Sequence, residues 1–425
     1  MNRPTHAGLA PLRHVLANGA TLIATRSAAT PAVSFNVSLR AGVLHEPDDQ
    51  PGLAHLLSQT IDCGTARRTA DQIAEDLDGR GVALAVAMNR HNLTLACTCL
   101  AEDAGDLLDL IVDIVRRPVF PRERVDRRRQ EIVTALGQDL DNPAIQAVQT
   151  LLGMLYGERH AYGRRPKGTI ADVLRLGRDQ LAAFHGRRVT PAGLTLVMAG
   201  DMEPARAIGM AGRLLEDWPG EPGPDVALPP VEAARDRRRR VVPMMNKAQA
   251  DVAYGFSTIR RSDPVYYAFW IMNTVLGQYG LGGRLGDHIR ERKGMAYYVY
   301  SSFDPAMIEG PLLVRAGVDA ANVDRTIAAI DEEVTALARD GVSDTELADT
   351  KRFLSLSMPR LLETNAGIAT FLQTAEAFGL GMDYDVRLPS LLESVTRGDV
   401  HAAAARLNPA RASIAIAGPY SAGTT

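Results

Sequence analysis

Two segments of this 425-residue chain read alike. VTPAGLTLVMAGDM (189–202) and LNPARASIAIAGPY (407–420) each pass from a turn with proline through an apolar strand to Ala-Gly, and they begin 218 residues apart. Repetition at that distance constrains the fold more than any other feature, because it asks the chain to build one unit twice and to bury a core in each. The Pro- and Gly-rich stretch from Trp218 to Pro230 is the one strong linker signal, and it falls near the middle. The halves are therefore drawn as 1–217 and 241–425, joined by a linker over 218–240.

Within each half, strands alternate with long amphipathic helices. ATLIAT and VSFNVSLRAG supply strands in the first half, and QADVAYGFS and PLLVRAGV in the second. AEDAGDLLDLIVDIVRR has apolar residues at helical spacing, and ANVDRTIAAIDEEVTALARDG is a second helix with Gly341 as its C-terminal cap. Mixed strands and helices predict α+β halves with helices covering a sheet face.

Composition excludes several functions. The longest apolar runs fall well short of the roughly 18 residues a membrane span needs, and the start, MNRPTHAGLAPLRH, has no apolar core of a secretory signal. A cytoplasmic protein without a membrane partner is expected. A net charge of −3 gives no electrostatic case for nucleic acid, and the basic run RDRRRR (235–240) reads as part of the solvated linker. Cys63, Cys97 and Cys99 lack C-x-x-C spacing, which suits buried thiols in a reducing compartment.

GLAHLLSQTIDCGT (52–65) carries the first chemical signal. His55 and Gln59 stand four apart on one helical face, as the two histidines of an inverted zinc motif, H-x-x-E-H, would. Here Ser58 takes the place of the glutamate and Gln59 that of the second histidine. Serine cannot serve as a carboxylate base, and glutamine is a poor zinc ligand, so on residue types alone His55 is a packed histidine.

The segment resembles the active-site helix of the insulinase-like zinc peptidases, in their short-chain, mitochondrial-processing-peptidase-like branch. His55 alone keeps the family residue. Aligning RRRQEIVTALGQDLDNP (127–143) on the family's later helix puts Thr134 at the third ligand position, with Glu131 about 4.5 Å away along the helix axis. The stretch 246–303 resembles the family's carboxyl-half signature over nearly its whole length, and it contains Arg290 and Tyr297, seven apart across Gly294. The resemblance implies that this pair contacts substrate and stabilises the reacting carbonyl. The run GQYGLGG (277–283) lacks a P-loop ending; the resemblance implies either a plain helix connection or a substrate-contact role for Gly280, Gly282 and Gly283. GVALAVAMNRHNLTLACTCL (81–100) resembles the edge strand on which extended substrate pairs, with His91 in a loop.

Over residues 10–420 the resemblance implies two homologous halves, each an antiparallel-rich sheet covered by helices, enclosing a chamber. It implies the non-catalytic subunit of a heterodimeric zinc peptidase, inactive alone, with Arg290 and Tyr297 as its contribution to catalysis. This chain is expected to bind no metal, zinc being held by an H-x-x-E-H partner, and the substrate is a peptide or unfolded segment. The alternative is a structural or peptide-binding scaffold comparable to respiratory-complex core proteins, which would not need the Arg/Tyr pair. A self-sufficient hydrolase built on His55, Asp62 and Glu131 finds no support in their spacing.

Overall fold

The computed structural model describes residues 8–221, 223, 226, 228, 231, 234–279 and 282–421. Gly280 and much of the expected linker lie outside the described residues. The fold is α+β and is built on two sheets. The first contains β1 (Leu12–Val15), β2 (Thr21–Arg26), β3 (Ala32–Leu39), β4 (Ala85–Met88), β5 (Leu93–Leu100) and β6 (Leu194–Gly200), in the order β1-β2-β6-β3-β5-β4. The second contains β7 (Arg238–Pro243), β8 (Ala250–Ser257), β9 (Ala296–Phe303), β10 (Pro311–Val318) and β11 (Ser413–Gly418), in the order β7-β11-β8-β10-β9.

Beyond β1, the two orders superimpose strand for strand. β2 runs parallel to β6 as β7 does to β11, and every other neighbouring pair in both sheets is antiparallel. The repeated segments are β6 and β11, each entered through a 3-10 turn that starts on proline, at Pro191–Gly193 and Pro409–Arg411. Each strand ends on a glycine at positive φ, Gly200 at 152° and Gly418 at 140°. A Cβ on Gly200 would stand 2.2 Å from the Ala32 carbonyl oxygen, and one on Gly418 would stand 2.5 Å from the Ala250 Cα. Close backbone approach thus explains why both copies of the repeat close on Ala-Gly.

The chain divides into two compact units that are not contiguous in sequence. The first comprises Met1–Leu136, Arg165–Ala227 and Met358–Arg387; the second comprises Gly137–Arg164, Leu228–Ser357 and Leu388–Thr425. Each sheet therefore receives a helix from the opposite half of the chain: Asn365–Ala377 packs on β3 and β6, and Pro143–Tyr156 packs on β8 and β11. The cores follow from this. Leu22, Phe35, Leu39, Leu53, Leu56 and Leu57 are fully buried in the first unit. In the second, Leu151 and Leu155 of helix Pro143–Tyr156 meet Ala253, Ala415 and Ala417. Those small strand residues let the helix approach closely. On the other face of the second sheet, the Tyr254 hydroxyl donates to Asp331 (2.9 Å) on helix Val323–Asp340, which Gly341 caps at φ 69°.

Two local readings differ from the structure. Arg238–Arg240 are strand residues of β7 and not linker, and the cluster is paired: Arg237 binds Asp331, Arg239 binds Asp324 and Arg240 binds Glu158. Residues 81–100 form a hairpin, with only β4 at the sheet edge; its turn is tied by the Asn89 side chain, which accepts from the His91 and Asn92 amides at 2.8 Å each. The three cysteines are free and buried, and burial pushes the Cys97 thiol up to about 12 and Cys99 to about 11. Among the described residues no helix is long and apolar enough to cross a membrane.

Candidate functional site

The zinc-type helix spans Leu53–Ser58 in the first unit. Its sequence provides no Ser, Thr, Asp or Asn at the N-cap, where Gly52 adopts φ 89° against the Lys167 carbonyl. The first-turn amides need an acceptor from elsewhere. Glu46, a buried carboxylate eight residues upstream, accepts from the Ala54 amide at 2.8 Å. Sequence reasoning did not single out Glu46; the one available signal was a helix start with no local cap.

From Leu53 to Ser58 only His55 escapes full burial, and the C-cap Gln59, on the same face, is likewise half-buried. This is the face on which the i, i+4 ligands would stand. Ser58 points elsewhere: it is buried, and its hydroxyl donates to the His55 carbonyl at 2.7 Å and accepts from the Gln59 amide group at 3.3 Å. Thr134, on helix Arg122–Leu140, is exposed and donates to its own helix at the Gln130 carbonyl, 3.1 Å away. Glu131 is held by Arg128 at 2.7 Å and Arg127 at 3.1 Å, and these hydrogen bonds keep its carboxyl below the usual range. The Cys63 thiol, in the segment after the zinc-type helix, donates to the Gln59 carbonyl at 3.8 Å.

The positions that the resemblance assigns to zinc ligands carry an imidazole at His55, an amide at Gln59 and a hydroxyl at Thr134. One imidazole faces an amide, while the serine and threonine hydroxyls are committed to main-chain carbonyls and the nearby carboxylate to two arginines. Among the described residues, no group of three or more His, Cys, Asp and Glu side chains is placed to hold a metal ion.

Arg290, Tyr297, Gly282 and Gly283 belong to the second unit. Arg290 sits in the wide helical turn Gly286–Arg292, which is π-helical; Gly294 at φ 60° ends it, donating to the Arg290 carbonyl at 3.1 Å, and the chain passes into β9. Single π turns of this kind recur at functional sites. β9 is the outer strand of its sheet, and its register with β10 slips between Gly317 and Val318: Gly317 faces Tyr298, but Val318 faces Ala296. Tyr297 is the extra residue, a bulge on an edge strand, which is how such a strand re-aims a side chain.

The two side chains are available. Tyr297 is 60% exposed, with its hydroxyl 3.5 Å from Asp319. The Arg290 side chain is 44% exposed and has its adjacent residue Glu291 at 3.7 Å as its ion-pair partner. Gly282 and Gly283 are in tight contact with their own unit: a Cβ on Gly282 would strike the Tyr279 ring at 2.3 Å, and one on Gly283 would lie 2.9 Å from the Gly277 Cα.

Residues 22–154 match the family model for Insulinase (Peptidase family M16), and residues 175–354 match that for the Peptidase M16 inactive domain. An uncharacterized zinc protease of Mycobacterium leprae is 26% identical over 416 residues, covering 96% of this chain and 92% of that protein. Among solved structures, the peptidase M16 inactive domain from Pseudomonas fluorescens superimposes with a TM-score of 0.90 at 23% identity, covering 97% of this chain and 98% of that one. A protease from Helicobacter pylori gives a TM-score of 0.89 at 14% identity, covering 96% and 99%. At these identities the structural likeness concerns the fold.

Proposed function

Because the chain belongs to the insulinase family of peptidases (M16), we propose that it is a non-catalytic subunit of a two-chain zinc peptidase, presenting Arg290 and Tyr297 to a peptide held by a partner with an intact H-x-x-E-H helix. The observation that carries this reading is a contrast between the two units. The ligand positions of the first are the wrong residue types or are bonded internally, whereas Arg290 and Tyr297 of the second keep exposed donors. A guanidinium and a phenol are suited to a carbonyl oxygen that gathers negative charge. A scaffold would have no use for such a pair.

Reconstitution tests the proposal. The chain alone should hold well under one zinc per molecule after mild chelation and should cleave no peptide. Mixed with an H-x-x-E-H chain from the same genome, it should co-elute with that chain in gel filtration and raise peptide cleavage above that of the partner alone. Neither co-elution nor added cleavage, or one tightly held zinc on this chain, would overturn the reading.

A further inference from the structure

The duplication supplies an internal control for one face of the second sheet. Across that sheet, Ala417 pairs with Asp251, Asp251 with Gly317 and Gly317 with Tyr298; one step along, Ala415 pairs with Ala253, Ala253 with Arg315 and Arg315 with Tyr300. Residues paired in this way share a face. Helix Pro143–Tyr156 covers the β11–β8 side of it, with Ala253, Ala415 and Ala417 beneath. Toward β9 lie Arg315, Tyr300 and Tyr298, all half-buried.

The first sheet has the same register. Ala199 pairs with Ser34 and Ser34 with Thr98, while Ala96 pairs with Ala85. Ala96 therefore stands at the position of Arg315, Ala85 at that of Tyr300 and Ser34 at that of Asp251. One copy of the repeat carries small neutral residues where the other carries a cation, an aromatic ring and an acid. The charged copy is the one that holds Arg290 and Tyr297.

Asp251 is not the partner of Arg315. The Tyr298 ring passes over Gly317, where a Cβ would come within 2.5 Å of it, and its hydroxyl donates to the Asp251 carboxylate. Burial pushes the Asp251 carboxyl up, against the pull of that hydrogen bond and of the more distant Arg315 charge. The Arg315 guanidinium lies over the Tyr300 ring, 5.6 Å from its centroid, and among the described residues it forms no ion pair and no side-chain hydrogen bond. A half-buried guanidinium that no carboxylate hydrogen-bonds is an incomplete site, because its donors have lost part of their water and Asp251 acts on it only at a distance.

We propose that Arg315, resting on Tyr300, is a specificity subsite for an acidic side chain of an extended peptide lying along β9. The proposal rests on the peptide-binding reading above and adds the chemical class of residue that is preferred. Among the described residues no strand pairs with the outer edge of β9, so a peptide strand can add there. Strands lie about 4.8 Å apart, which puts alternate side chains of the added strand about 10 Å from the Arg315 backbone on the same face. An arginine and a glutamate together span that distance across the Tyr300 ring. Charge complementarity selects a carboxylate over an amide or an ammonium.

The test is fluorescence anisotropy with the full chain and fluorescein-labelled ten-residue peptides of strand-forming sequence, each carrying Glu, Gln or Lys at one position. Glu peptides should bind about tenfold tighter than their Gln counterparts at one alternating set of positions, and Lys peptides should bind weakest. Arg315→Gln should remove the Glu preference while leaving Gln-peptide affinity and thermal melting unchanged, and Arg315→Lys should retain part of it. Equal affinity for Glu and Gln peptides, or a preference that survives Arg315→Gln, would remove the subsite and leave peptide binding standing. Failure to bind any of the peptides would overturn the subsite, while the Arg290 and Tyr297 reading, in which the partner holds the peptide, stands or falls by the reconstitution.

Discussion

Tyr297 is set apart from its strand by one extra residue, and Arg290 is carried on a turn wound wider than an α-helix. Both devices place a donor outside the regular hydrogen-bonding ladder. If these donors act when charge develops on a carbonyl, their removal should lower kcat more than it raises KM. With wild-type partner at saturating subunit concentration, Tyr297→Phe is expected to cost on the order of 10²-fold in kcat, about 2.7 kcal/mol. Arg290→Ala should cost at least as much, with thermal melting used to exclude misfolding. His55→Ala should leave turnover almost unchanged. Full activity in both the Arg290 and Tyr297 variants, or a large loss in a folded His55 variant, would place the chemistry in the wrong unit. At this scale, sequence resolves identity better than environment. The i, i+4 face of His55 and Gln59 was legible, because it follows from helical spacing. The bulge at Tyr297 was not, because it is set by β10, and neither was the capping carboxylate Glu46, because nothing between residues 46 and 54 marks their contact.

Elements are joined in the first unit by a polar seam that sequence patterns do not reveal. The turn Val43–His45 packs under the β4–β5 hairpin, with the Gly42, Val43 and Leu44 amides donating to the carbonyls of His91, Asn89 and Arg90. Burial there lowers both histidines to about 4: His45 chiefly by desolvation and then by Arg188, His91 by desolvation and then by Arg90. The sign follows from linkage. An unfolded chain protonates these imidazoles near pH 6.5 and the folded one near pH 4, so stability is full above 6.5 and is lost as pH falls toward 4. The loss is at most about 3.4 kcal/mol per histidine and is reduced by solvent screening. Thermal melts of the full chain from pH 7 to 4.5 should show a falling midpoint that flattens in the His45→Gln/His91→Gln double variant. An identical slope in the double variant would assign the loss elsewhere. Carboxylates titrate in a separate window: burial pushes Glu346 up, but hydrogen bonds from Arg284 outweigh it and hold the group at about 2, so its contribution disappears only below about pH 4.5. Strand identity in this region was legible from alternation. The hairpin was not, since Asn89-Arg90-His91-Asn92 contains no glycine or proline to mark the turn.

At the scale of the whole molecule, the repeat was legible and the packing of the helices was not. Ala-Gly at the ends of β6 and β11 is a local steric requirement and therefore leaves a trace in sequence. A helix that crosses to the other sheet needs only an apolar face, and that face looks the same whichever sheet it meets. This has a consequence for fragments cut at the linker. A chain ending at Gly220 keeps β3 and β6 but loses helix Asn365–Ala377, whose Ile368, Phe371 and Leu372 are buried in the intact protein. At about 1.5–3 kcal/mol for each large side chain, that loss is of the same order as the entire 5–15 kcal/mol stability of a typical domain. The complementary fragment loses helix Pro143–Tyr156 from the Ala253, Ala415 and Ala417 face. Each fragment expressed alone should aggregate or melt without cooperativity, whereas the two co-expressed should co-purify as a one-to-one complex and regain a cooperative melt. A first fragment that folded alone, as a monomer with the melting temperature of the full chain, would show that helix Asn365–Ala377 is dispensable to the first sheet, and would return the boundary to the linker where the composition of the sequence alone places it.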